Sequence, residues 1–161
     1  MERVETLNDK NLELIYKVVL TERAIDKILN KITQRHFRIT AEQNFVLHVL
    51  ENRGNTTIEE LAHLLLRELS TVSSLISRME KRGLVKKIKK EGGRAFSIEM
   101  TAKTKKNWSS TPVQHKIRDL VNVLSEEEYN ILDTHLSKLL NKAIEDLEEY
   151  YSSPFKQDKQ V

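Results

Sequence analysis

The chain has 161 residues, 39% of them apolar and 32% charged, with four glycines and two prolines. That length and balance suit one helix-rich domain, or a small domain with a dimerisation extension, and argue against a β-sandwich or a disordered chain. There is no cysteine, which excludes disulfides, thiolate catalysis and thiol redox sensing, and permits a cytoplasmic location.

The net charge of +3 is mild, but its distribution is uneven. Residues 67–106 hold 12 Lys/Arg against 4 Asp/Glu, a net of +8; residues 125–149 hold 2 against 8, a net of −6. One basic and one acidic module fit a part that touches nucleic acid and a part kept away from it. No apolar run approaches the ~18 residues of a membrane span. The first twenty residues carry charges throughout and no small-residue cleavage site, so no secretory signal is expected.

Met1 to Asp9 is polar and reads as a loose arm. From Asn11 to Gln34 the spacing predicts a helix: Leu14, Val18, Ile25, Ile28 and Ile32 form a stripe, with Leu12, Ile15 and Val19 beside it. So wide a stripe suggests burial on more than one side, against its own domain and a partner subunit. Thr40 with Gln43 has capping-box spacing and opens a helix from Ala41 to Asn52, expected to bury Phe45, Val46, Val49 and Leu50. Gly54 ends it, and Thr57-Ile58 is read as a brief strand.

Thr57 with Glu60 is a second capping box, opening a short helix with Leu61, Ala62, Leu64 and Leu65 on its apolar face. Arg67, Glu68 and Leu69 read as a turn. Ser70 suits the N-cap of a further helix, in which Leu69, Val72, Leu75, Ile76 and Met79 are expected in the core. The opposite face carries Ser70, Thr71, Ser73, Ser74, Ser77 and Arg78. Gly83 stops this helix by taking positive φ. Two strands follow, Leu84 to Lys90 and Ala95 to Met100, around a turn at Glu91-Gly92-Gly93-Arg94; Phe96, Ile98 and Met100 share one side.

A polar helix face alone usually meets only water, and a lysine-rich hairpin alone is often a protected edge. Helix, turn, helix and basic hairpin in this order are far more specific, and point to duplex DNA. The second helix, Thr71–Arg82, fits a major groove, where hydroxyls meet phosphates and base edges. Arg94 at the hairpin tip fits the flanking minor groove, with Lys86, Lys87, Lys89 and Lys90 on phosphates.

These residues resemble a family. Ser70-Thr71-Val72-Ser73, Ile76, Arg78, Met79 to Val85, Arg94 and Met100-Thr101 are similar to the recognition helix and wing of MarR-type transcriptional regulators. The likeness extends over roughly Asn11 to Tyr151. The family wing usually carries Asp two residues before its arginine, where this chain has Gly92, and the family's Leu-Thr-x-x-Gly is Met100-Thr101-Ala102-Lys103-Thr104 here. The resemblance implies repression, often relieved by a small, frequently aromatic, ligand between the DNA-binding lobe and the dimer helices.

After Thr101 the helical pattern resumes and is interrupted at Trp108 to Pro112, where Thr111 is expected to cap and Pro112 to take a first helical position. Ser125 with Glu128 opens a last long helix, with Tyr129, Leu132, Leu136, Leu139, Ala143 and Leu147 in its stripe. Its own chain has little left to cover these. Leu132, Leu136, Leu139 and Leu147, with Ile15 and Val19, are therefore expected to form a homodimer interface. Trp108 and Tyr150-Tyr151 are read as core or dimer packing in preference to a ligand site, and Ser152 to Val161 as a disordered tail.

The five histidines have no pair at i,i+3 or i,i+4, no phosphate-loop signature occurs, and no acidic pair is placed for acid–base work. The expectation is a mainly α protein with a small β-wing and no catalytic site, metal or cofactor. Residues 1–36 and 102–151 supply dimerisation helices around a winged helix-turn-helix domain at 37–101. The function expected is sequence-specific regulation of transcription, with no membrane partner. An architectural DNA binder and a winged-helix assembly module are the alternatives.

Overall fold

The computed structural model describes residues 9–89 and 96–152. It divides into two compact units, Met1–Lys116 and Ile117–Val161.

In the first unit, α1 (Lys10–Phe37) starts under Asp9, whose Oδ1 accepts from the N–H groups of Asn11 at 2.8 Å and Leu12 at 3.3 Å. Asp9 is thus a helix cap, not the end of a loose arm. Arg38 closes α1 in the left-handed conformation, φ 57°. α2 (Ala41–Arg53) carries the predicted Thr40–Gln43 box, with both reciprocal hydrogen bonds made. It buries Val46, Leu47, Val49 and Leu50, but Phe45 is 41% exposed, against expectation. α2 has apolar residues around most of its circumference, so its neighbours and not its period decide which side is covered.

Thr57 does not join a strand. Its N–H donates to Glu60 Oε2 at 2.8 Å and its hydroxyl accepts from Glu60 N–H at 3.1 Å. That box commits Thr57 to the start of α3 (Ile58–Leu65), so the short strand β1 forms two residues earlier, at Asn55–Thr56.

The turn after α3 is closed by Leu66, left-handed at φ 50°, with Leu66 N–H on His63 O and Arg67 N–H on Ala62 O. Arg67 also pairs with Glu42 of α2 at 3.4 Å. Residues 66–68 thereby complete the turn, and α4 begins at Leu69 and runs to Lys81. This corrects two expectations. Ser70 is not the N-cap but the second helical residue, and Leu69 is not in the core but 50% exposed. Val72, Leu75, Ile76 and Met79 are buried as expected. Gly83, at φ 69°, ends α4: its N–H reaches Glu80 O at 2.8 Å and Leu84 N–H reaches Met79 O at 2.9 Å. This paired closure needs a residue free to turn left-handed.

β2 (Val85–Lys89) and β3 (Phe96–Met100) pair antiparallel from Val85↔Met100 to Lys89↔Phe96, and β1 lies on the far side of β3, giving the order β1-β3-β2. Ile98 and Met100 are buried, but Phe96 is 48% exposed. β1 reaches along β3 only as far as Ile98, which leaves the outer end of the hairpin uncovered.

Thr101 caps α5 (Ala102–Asn107) and donates its hydroxyl to Gly83 O at 2.8 Å. Trp108 follows, 8% exposed, with Nε1 donating to buried Asn44 Oδ1 at 3.0 Å. The helix restarts as α6 (Thr111–Val121), with Gln114 N–H on Ser110 O, so entry is at Ser110 and not Thr111. One apolar cluster joins α2, α3, α4, β2 and β3 with Ile39 and Trp108, and includes Leu47, Leu61, Ile76, Met79 and Ile98.

In the second unit, α7 (Glu126–Ser152) opens on the predicted box: Ser125 N–H donates to Glu128 Oε2 at 2.8 Å and Glu128 N–H to Ser125 Oγ at 3.3 Å. The Ser125 backbone N–H first, and then the Ser125 hydroxyl, hold the Glu128 carboxyl below its ordinary range. Ser152 ends α7; residues 153–161, and the side chains of Tyr150 and Tyr151, lie outside the described residues.

Candidate nucleic-acid interface

α4 is held by one face. The core takes Val72, Leu75, Ile76 and Met79, and apart from Leu69 at its start the exposed residues of α4 are polar. Ser70, Thr71, Ser74 and Arg78 stand exposed, while Ser73 and Ser77 are half-buried at the margin. Short hydroxyls at the start of a helix and a guanidinium two turns on suit base edges and phosphates.

The hairpin lies beside this helix and is tied to it. Glu80 accepts the backbone N–H of Lys87 at 3.3 Å and the Lys87 ammonium at 3.4 Å. Lys86 pairs across the strands with Glu99 at 3.6 Å. Of the predicted phosphate contacts, Lys86 and Lys87 therefore have intramolecular partners, and Lys89 stands exposed near the open end. Lys90 and Arg94 lie outside the described residues.

Sequence reasoning assigned no role to Arg82. Its Nη1 donates to Gln43 Oε1 at 3.0 Å and its Nη2 to the carbonyl of Arg38 at 2.6 Å. The last residue before Gly83 thus ties the end of α4 to the α1–α2 corner. No local signal marks this, because its acceptors are 39 and 44 residues away.

Below this link is a cleft of about 330 Å³, bordered by Phe37, Ile39, Leu47, Leu84, Lys103 and Trp108 among others. Phe37 and Trp108 are tilted ring neighbours, centroids 6.5 Å apart. Trp108 thus packs on the core and also lines a cavity.

The residues expected to dimerise are open in the single chain. Leu132, Leu136, Leu139 and Leu147 on α7 are each 41 to 44% exposed, and Ile15 and Val19 on α1 are exposed as well. Among the described residues no cluster of His, Asp or Glu is arranged to hold a metal, and no helix is long and apolar enough to cross a membrane.

Basic hairpin, exposed polar helix and helix-turn-helix geometry together define a winged helix-turn-helix protein. Residues 39–94 match the model of the MarR family. The chain is 24% identical over 147 residues, 89% of each chain, to the uncharacterized HTH-type transcriptional regulator YfiV of Bacillus subtilis (strain 168). Its fold is similar to that of the organohalide-sensing regulator RdhR-CbdbA1625 in its 2,4-dichlorophenol-bound form, with TM-score 0.77 and 22% identity, covering 100% of this chain and 96% of that one. It is similar also to S. aureus MepR in its DNA complex, with TM-score 0.71 and 24% identity over 80% of this chain and 96% of that one. A MarR family protein from Bacillus stearothermophilus matches at TM-score 0.61 and 25% identity, over 86% and 99%. The likeness is to MarR-type transcriptional regulators, carried by residues 39–94, and the fold is that of such winged-helix proteins.

Proposed function

We propose that this protein recognises a specific duplex sequence as a homodimer on an inverted-repeat operator, represses from it in the cytoplasm, and is released by a small aromatic ligand. The observation that carries the reading is the exposed polar face of α4 beside a lysine-rich hairpin. Ser70, Thr71, Ser74 and Arg78, flanked by Ser73 and Ser77, contact base edges and nearby phosphates in the major groove. Lys89 and Lys90 engage flanking phosphates and Arg94 the minor groove. Lys86 and Lys87 share their charge between phosphates and their carboxylate partners.

The dimer reading rests on the apolar side chains that α1 and α7 leave open. Each gains roughly 1.5–3 kcal/mol when fully removed from water. A two-fold pair presents two reading helices to half-sites about one helical turn apart. The ligand reading rests on the cleft at Phe37 and Trp108, whose size suits a small aromatic molecule.

Selection of bound sequences from random duplex DNA tests the proposal. It predicts enrichment of an inverted repeat with half-sites about one turn apart. A recovered pool that matches the input would mark an architectural binder and contradict it.

A further inference from the structure

The cleft beside the Arg82 link is bordered by His36, Arg38, Arg82 and Lys103, and among the described residues by no acidic side chain. Its apolar wall includes Phe37 and Trp108, which are ring neighbours. A neutral aromatic molecule has only that wall to use. An aromatic acid uses the wall and the cationic border together.

Of the border residues, Arg82 is the one that adjoins α4. Its guanidinium serves two uncharged acceptors, Gln43 Oε1 at 3.0 Å and the carbonyl of Arg38 at 2.6 Å. A carboxylate is a stronger partner for a guanidinium than either, so an acid group at the border competes for Arg82. We infer that the cleft takes an aromatic acid whose anionic group draws Arg82 off Arg38 and Gln43, so that occupancy of the cleft and the tether of α4 exclude each other. The inference rests on the ligand reading above and adds to it the charge of the ligand and the residue that transmits its binding. A ligand shifts an equilibrium only through unequal affinity for its two states. Arg82 supplies that inequality, because it bonds the acid in one state and the α1–α2 corner in the other.

The test uses the full chain and the fluorescence of its single tryptophan, Trp108, which lines the cleft and reports occupancy without DNA. Benzoate and 1-naphthoate are titrated, each against its neutral amide of the same shape. At least one acid should bind about tenfold more tightly than its amide. The same acid should weaken binding of the selected duplex by about fivefold or more, and the duplex should weaken the acid by the same factor. Lys103→Ala should weaken the acid but keep the full effect of bound acid on the duplex. Arg82→Gln, whose amide can still donate to a corner acceptor, should lose most of the preference for acid over amide and the effect on the duplex with it. Arg82→Lys, which keeps the charge, should keep the preference. The ratio of acid to amide needs no duplex, so it decides the matter even if Arg82→Gln binds DNA too weakly to titrate. The inference is overturned if acid and amide bind alike, or if Arg82→Gln prefers the acid as fully as the wild type; in both cases the ligand reading still stands. If none of the four molecules changes Trp108 emission, both readings fall together.

Discussion

Arg82 Nη2 donates to the carbonyl oxygen of Arg38 at 2.6 Å, joining the last turn of α4 to the residue that closes α1. Arg38 is left-handed there, at φ 57°. The same guanidinium reaches Gln43 Oε1 at 3.0 Å, the atom that also accepts the N–H of Thr40 in the α2 box. One side chain therefore fixes the far end of the reading helix against two other helices.

Replacing Arg82 by alanine should lower unfolding stability by about 1–3 kcal/mol, because two polar acceptors lose a charged donor. Arg82→Lys should recover only part, since an ammonium lacks the planar fork that serves both acceptors. Urea denaturation of the three proteins checks this. An unchanged midpoint for the alanine variant would show that the link is not formed in solution.

The buried bond between Trp108 and Asn44 makes a second prediction. Trp108→Phe keeps most of the apolar contact but strands Asn44 Oδ1, a buried acceptor. The expected cost is about 1–3 kcal/mol. Asn44→Leu in the same background should restore part of it, by removing the orphaned group. A double-mutant cycle by denaturation reads the coupling, and additive losses would refute it.

On the proposed interface, charge and sequence readout should separate. Lys89→Ala should weaken binding to all duplexes alike and reduce the salt slope by about one. Ser74→Ala and Arg78→Ala should change which sequences are preferred. Arg94→Glu should weaken every duplex by at least ~10-fold, since a minor-groove cation becomes an anion beside phosphates. Titrations of each variant against two duplexes at several salt concentrations distinguish these effects. A lysine change that redirects preference while the α4 changes do nothing would reverse the assignment.

Light scattering at micromolar concentration should give twice the 18.8 kDa mass of one chain. Truncation after Leu124 should yield a monomer, or an insoluble product, with much weaker DNA binding. A full-length monomer would remove the two-fold reading and the inverted repeat with it.

Most helix starts were legible because their chemistry is local. Thr40 with Gln43, Thr57 with Glu60 and Ser125 with Glu128 each satisfy free N–H groups within four residues, and all three boxes form. The start of α4 was not legible. No side-chain cap bond marks it, and the turn depends on Leu66 adopting a left-handed conformation that its side chain disfavours. A serine at the next good cap position then shifted the expected start by two residues, and the helical spacing sent Leu69 to the core. Phe45 failed for a different reason: the apolar residues of α2 do not fall on one face, so tertiary neighbours choose the buried side. The Arg82 link and the Trp108–Asn44 bond escaped because they join residues 39 to 64 apart. On α4 itself, Val72, Leu75, Ile76 and Met79 are buried as their spacing indicated, so the exposed polar face was readable from the sequence.

The central claim is sequence-specific recognition of duplex DNA, and the specificity ratio measures it most directly. Fluorescence anisotropy titrations of the full-length protein against its selected duplex and a scrambled duplex of equal length, at one physiological salt concentration, give that ratio. The account predicts at least ~10³ in favour of the selected sequence. Equal affinities for the two duplexes would contradict it.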